Sequence, residues 1–126
     1  MPSKRKPAPS RASRLPELFA DAGPLASRKS GYGFRHQQLR FARAVEKTLE
    51  GRGVLLADPP TGTEKSAAYL APAILGVASS GGRVVVSTAT LALQAQLRSE
   101  DLPPMQTAAA ELEGYPEEEG VSYAVL

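Results

Sequence analysis

Cysteine is absent from the 126 residues, so the chain has neither a disulfide framework nor a thiolate metal site. Histidine occurs once, at His36, which leaves zinc ligation and serine- or cysteine-triad chemistry without support. No apolar run approaches the roughly 20 residues that a membrane helix needs. The basic start, "MPSKRKPAPSRASR", is followed by no apolar segment, so it is not a secretory signal. These absences point to a cytoplasmic protein with no membrane partner.

What is present is ordinary in amount and unusual in arrangement. The apolar fraction of 42% and charged fraction of 22% are those of a soluble globular chain. The length allows one domain with a core and not two. The formal charge of +2 hides an asymmetry. Residues 1–43 hold ten Lys/Arg and two acids, a balance of +8, whereas residues 44–126 hold five and eleven, a balance of −6. A basic front end attracts nucleic acid through counterion release. Residues 1–14 alone, rich in Pro, Ser, Lys and Arg, read equally as a solvated, disordered tail.

Along the chain, residues 15–33 read as one short helical turn around Leu18 and Phe19, then loop. From His36 to Glu50, Leu39, Ala42, Val45 and Leu49 follow helical spacing, and Gly51 is the expected stop. Val54–Ala57 is a short apolar run suited to a buried strand. After the turn 58–64, a helix is expected from Lys65 toward Val77, bent at Pro72. A turn at Ser79–Gly82 leads to a second strand, Val84–Ser87. Leu91, Leu93, Gln94 and Leu97 suggest a helix closed before Pro103, and a weaker helix spans Met105–Leu112. "GYPEEEG" is an exposed acidic loop, and Val121–Leu126 is a third strand. Strand alternating with helix predicts an α/β fold, a parallel sheet with right-handed crossovers. Ligands of such sheets sit at the carboxyl ends of the strands.

Two motifs fall at those ends. The first is Thr61-Gly62-Thr63-Glu64-Lys65-Ser66, between a strand and a helix. A loop of this kind aims several backbone N–H groups and a helix N-terminus at one point, where phosphate oxygens settle. Gly62 permits close approach, Lys65 reaches the terminal phosphates, and the Ser66 hydroxyl ligates magnesium. The usual opening glycine is replaced by Pro59, and the glycine before the lysine by Glu64. The lost backbone freedom costs about 1–2 kcal/mol. A carboxylate about 5 Å from one phosphate charge costs roughly 3 kcal/mol at an effective dielectric of 20. Together these lower affinity by two or three orders of magnitude. In the milder alternative, Glu64 swings into solvent and only slows turnover. The second motif is Thr88-Ala89-Thr90 after Ser87; the residues alone read equally as a turn and a helix N-cap.

With its neighbours in view, the chain resembles the DinG/XPD-like family of superfamily 2 DNA helicases. "GYGFRHQQLRFARAVEKTLEGRGVLLADPPTGTEKSAAYLAPAIL" matches the family's lead-in, an Arg-x-x-Gln segment (Arg35 and Gln38) and a helix before the nucleotide loop. "GGRVVVSTATLALQAQLRSEDLP" matches the next block, a strand, a Ser-Thr-x-Thr turn and a Leu-Gln-x-Gln-Leu helix; "GPLA" at Gly23–Ala26 and the closing "YAVL" also fit. The likeness covers residues 18–126. It implies a partial RecA-like domain, ending after about three strands, over residues 15–126. It further implies that Thr61, Gly62, Thr63, Lys65 and Ser66 hold the phosphates and magnesium of ATP, with Arg35 and Gln38 near the base. Lys65 and Ser66 are then the catalytic candidates, Glu64 the residue that weakens the loop, and Thr88, Thr90 and Gln94 face single-stranded DNA.

The same resemblance implies parts that this sequence does not carry: an Asp-Glu box, iron–sulfur cysteines and arginines from a second motor domain. No Asp-Glu dipeptide occurs, and such groups supply most of the rate in phosphoryl transfer. The expectation is therefore the N-terminal ATP-binding segment of a helicase, not unwinding DNA by itself, from a truncated, split or decayed gene that a second polypeptide would complete. The alternative is a non-catalytic module that holds nucleic acid with its basic front, Lys4 to Arg43. A small phosphate-loop kinase is a third reading, disfavoured because the block after Ser87 lacks acceptor-site residues.

Overall fold

A computed structural model describes residues 12–28, 32–59, 65–116 and 120–126. Five α-helices run through them: α1 (Leu15–Phe19), α2 (His36–Gly51), α3 (Lys65–Ser80), α4 (Leu91–Gln96) and α5 (Leu102–Glu113), with a π-helical turn, Leu97–Asp101, joining α4 to α5. The expected basic tail lies largely outside the described residues, as do Thr61–Glu64 and the acidic run Glu117–Glu119.

The α/β parallel sheet is not what forms. Among the described residues there is no strand, and Val54–Ala57, Val84–Ser87 and Val121–Leu126 run as irregular chain. No backbone hydrogen bond of the described residues joins one of these runs to another. Val54 is 89% exposed, Leu56 92% and Val85 83%, so the first two runs are not core segments either, while Val121 of the third packs against the core. The physical reason is one of partners. A helix closes its hydrogen bonds within itself, whereas a parallel strand gains nothing until a distant segment lies beside it. Short apolar runs display strand composition without saying which neighbour would pair with them.

The core is instead helix on helix. α3 carries apolar side chains over most of its surface and buries Ala67, Ala68, Leu70, Ala71, Ile74 and Leu75, as a helix surrounded by others must. It packs against α1, α2, α5 and the π turn. The alanines let backbones approach closely, and the larger volume comes from Leu15, Leu18 and Phe19 of α1, each 0% exposed. Those three recur at i, i+3 and i+4, with Pro16 in the first turn, where its missing N–H is no loss. Pro72 stands inside α3 and is buried there, so the Ala68 carbonyl lacks its helical donor. α2 ends at Gly51, the expected stop, and Arg52 after it takes the left-handed conformation at φ 55°.

The helix expected to close before Pro103 does not close. In α-geometry the rings of Pro103 and Pro104 would clash with the carbonyls four residues back, at Ser99 and Glu100. The chain widens by one residue instead, and the Leu102 N–H reaches the Leu97 carbonyl. α5 then continues to Glu113 and is capped by Gly114 at φ 75°, whose N–H returns to Ala110. α4 buries no side chain and packs against no described element except the π turn.

Residues N-terminal to α2 are strapped over the helices. Arg28 pairs with Glu111, and Arg14 lies 3.6 Å from Glu113. The Tyr32 hydroxyl donates to the Phe19 carbonyl at 2.5 Å, and the Phe34 N–H donates to Asp21 Oδ1 at 3.0 Å. At the other terminus, Gln106 Nε2 donates to the Val121 carbonyl at 2.6 Å.

Candidate nucleotide and nucleic-acid site

α3 begins at Lys65, so Lys65 and Ser66 occupy the first turn of a 16-residue helix. That turn has orphan backbone N–H groups and the positive end of the helix dipole. Both features suit an anion. Lys65 Nζ lies 4.0 Å from Asp58 Oδ1, with the lysine side chain 52% exposed and the aspartate fully exposed. Such a pair is weak and solvent-screened, leaving the ammonium able to turn to a stronger anion. Asp58 was not singled out in the sequence, although a carboxylate beside a phosphate loop is a signal in itself. Thr61, Gly62, Thr63 and Glu64 lie outside the described residues.

Arg35 is the exposed N-cap residue of α2, extended at φ −133°. Gln38, one turn on, is 1% exposed and is the buried polar side chain of the described core. Burial of an amide is tolerated when its hydrogen bonds are made inside the protein. Its side chain is thus part of the packing, and Arg35 and Gln38 present one exposed and one buried group.

Thr88 and Thr90 form a local turn and cap. The Thr88 hydroxyl donates to the Thr90 carbonyl at 3.1 Å, and Thr90 Oγ1 accepts from the Leu93 N–H at 3.2 Å. That is the N-cap geometry the residue types favour. Thr90 is exposed, while Thr88 and Gln94 are half-buried.

A cleft of about 330 Å³ lies elsewhere. The C-terminal halves of α2 and α3 face it, with Arg14, Glu46, Glu50 and Arg83 at its edge. None of the residues assigned to nucleotide or DNA lines it. Among the described residues no group of three or more Asp, Glu or His could hold a metal ion. Ser66 fits magnesium only as one hydroxyl ligand, so phosphate oxygens and water would have to complete the shell. No described helix is long and apolar enough to cross a membrane.

Comparison with known proteins gives the chain relatives among ATP-dependent helicases. It is 43% identical over 91 residues to the ATP-dependent helicase DinG of Mycobacterium tuberculosis, covering 72% of this chain and 13% of that protein. It is 34% identical over 96 residues to the ATP-dependent DNA helicase YoaA of Haemophilus influenzae, covering 76% of this chain and 14% of that protein. A Bacillus subtilis protein named 3'-5' exonuclease DinG is 34% identical over 82 residues, covering 65% of this chain and 9% of that protein. The chain is homologous to a segment of the DinG-like helicases. It spans about one-seventh of the length of its helicase relatives. No family model matches it, and no solved structure matches it.

Proposed function

We propose that this chain is the nucleotide-phosphate-holding segment of a DinG-like ATP-dependent DNA helicase, with a phosphate loop made degenerate by Glu64. The observation that carries the reading is the start of α3: Lys65 and Ser66 stand together on the first turn of a helix, directly after Thr61–Glu64 in the sequence. Lys65 supplies countercharge to the terminal phosphates, Ser66 one magnesium ligand, and Thr61, Gly62 and Thr63 the backbone cradle. Arg35 is the surface group beside the base. Gln38 reaches the base only if it leaves its buried hydrogen bonds. Thr88, Thr90 and Gln94 face single-stranded DNA.

The whole-protein activity is part of this proposal. Relatives that share this segment carry two different activity names, helicase and exonuclease, so the segment serves something the two have in common. Hydrolysis needs a group that positions the attacking water and cations that balance the transition state. The reading therefore assigns nucleotide binding to this segment, with the chain cytoplasmic and inactive in hydrolysis alone.

Calorimetric titration of magnesium-ATP tests it. Glu64→Gly should raise affinity at least tenfold, because either the backbone or the charge contribution is worth about 1 kcal/mol or more. Lys65→Ala in that background should abolish the gain. Tight binding by the unmodified chain would refute the inactivating role of Glu64, and no binding by Glu64→Gly would refute the site.

A further inference from the structure

The described surface carries a basic feature that the nucleotide loop does not use. His36, Arg40, Arg43 and Lys47 recur at i, i+4, i+7 and i+11 along α2. At 100° per residue they fall within an arc of about 60°. Gln38 and Ala42, buried against the core, lie on roughly the opposite side of the helix. Arg40, Arg43 and Lys47 are all exposed. Among the described residues none of the three makes an ion pair or hydrogen bond, although Glu46 and Glu50 stand within helical reach of Arg43 and Lys47. The three cationic side chains are therefore exposed on one face and not held by a carboxylate, with Glu50 at the edge of the row. α2 is docked along α3, so the row is held on a fixed element.

From these observations we infer that the outer face of α2 is a docking surface for the phosphate backbone of a nucleic-acid strand, with Arg40, Arg43 and Lys47 as the contacts. The distance from Arg40 to Lys47 along the axis is about 10 Å at 1.5 Å per residue. That equals the axial rise of about three nucleotides of one duplex strand, at 3.4 Å each along the duplex axis. Three cations thus meet three charges. The arc carries no exposed large apolar side chain; the one on α2, Leu49, lies on the other side. An interfacial membrane helix would need apolar anchors beside its cations, which favours nucleic acid. Phosphate contacts of this kind position a strand without reading its bases. The inference does not depend on ATP binding.

The test uses the full chain and a fluorescein-labelled 20-nucleotide oligo-dT, followed by anisotropy from 50 to 200 mM NaCl. In the variant R40A/R43A/K47A the slope of log K against log salt should fall by about 2, at roughly 0.7 per phosphate contact on a single strand. Over that fourfold salt range the unmodified chain should lose about twentyfold more affinity than the variant. The charge-conserving variant R40K/R43K/K47R should keep the original slope. Magnesium-ATP titration of the alanine variant should match that of the unmodified chain, which separates this surface from the loop. An unchanged slope in the alanine variant would overturn the inference. So would a lost slope in the charge-conserving one, or binding to phosphatidylserine vesicles without binding to the oligonucleotide.

Discussion

Gly23→Ala is expected to destabilise the fold well beyond the usual effect of adding one methyl group. A Cβ built at Gly23 falls against the Glu17 carbonyl oxygen and lies 3.1 Å from that of Ala20 and 3.2 Å from that of Leu18. All three are backbone atoms at the end of α1, so no side chain can rotate away. Relief requires either opening the turn closed by the Gly23 N–H to the Ala20 carbonyl at 2.8 Å or lifting α1. Lifting α1 would expose Leu15, Leu18 and Phe19 at about 1.5–3 kcal/mol each. The turn should therefore give way, at the upper end of the 1–3 kcal/mol typical of overpacking. With about 3–5 °C per kcal/mol for a domain of this size, the melting temperature should drop by roughly 6–15 °C. The assay is thermal melting followed by circular dichroism at 222 nm. Gly33→Ala is the control: nothing lies within 4 Å of its added carbon, and removing glycine freedom from the unfolded chain should leave stability unchanged or raise it by about 0.4–1 kcal/mol. If Gly23→Ala melts within about 1 °C of the unmodified chain, or Gly33→Ala falls as far, the steric argument fails.

Two further predictions rest on individual side chains. The Tyr115 hydroxyl is buried with no hydrogen-bond partner among the described residues, and burial first, then the Glu113 carboxylate, push its pKa above the usual 10.0. The neutral phenol is the form the fold favours, so its contribution is full below pH 10 and is lost as pH rises through the elevated value. Tyr115→Phe should be neutral or stabilising by about 1 kcal/mol at pH 7 and should flatten that alkaline loss, as read from urea melts at pH 7 and at a pH above the usual 10.0. Leu56→Lys with Val85→Lys should leave the melting temperature unchanged, because both sites are largely exposed. It should raise the concentration at which the chain stays monomeric in light scattering, by placing charge on exposed apolar runs.

Helices were more legible in the sequence than any contact between distant segments. The apolar spacing of Leu39, Ala42 and Val45 marked α2 to within a residue of its end, because a helix writes its burial pattern into adjacent turns. Leu18 and Phe19 marked α1 for the same reason. The three apolar runs carried no such local record of partners, and there the sheet expectation failed. The continuation through Pro103 was hidden because two prolines normally end a helix, and a π turn is a rare way around them. At the candidate site, Lys65 and Ser66 sit on a helix start, as their spacing suggested. Gln38 was missed as a buried residue, since a polar side chain on an amphipathic helix is ordinarily read as outward-facing. The cap made by Thr90 was foreseeable from its residue type alone.

The isolation of α4 has a consequence for how this protein would report on a ligand. α4 is the unburied first stretch of a helical run that continues through the π turn to Glu113, so it is a cantilever, held at its base by the π turn and at its tip by the Thr90 cap. Its free energy of local opening should lie close to zero, far below that of the alanine-rich α3. A strand seated on Thr88 to Gln94 would clamp the tip and slow amide exchange from Leu93 to Gln96, while protection in the core stayed as it was. α4 would then register occupancy as a gauge needle does, by movement at the free end with the case unmoved.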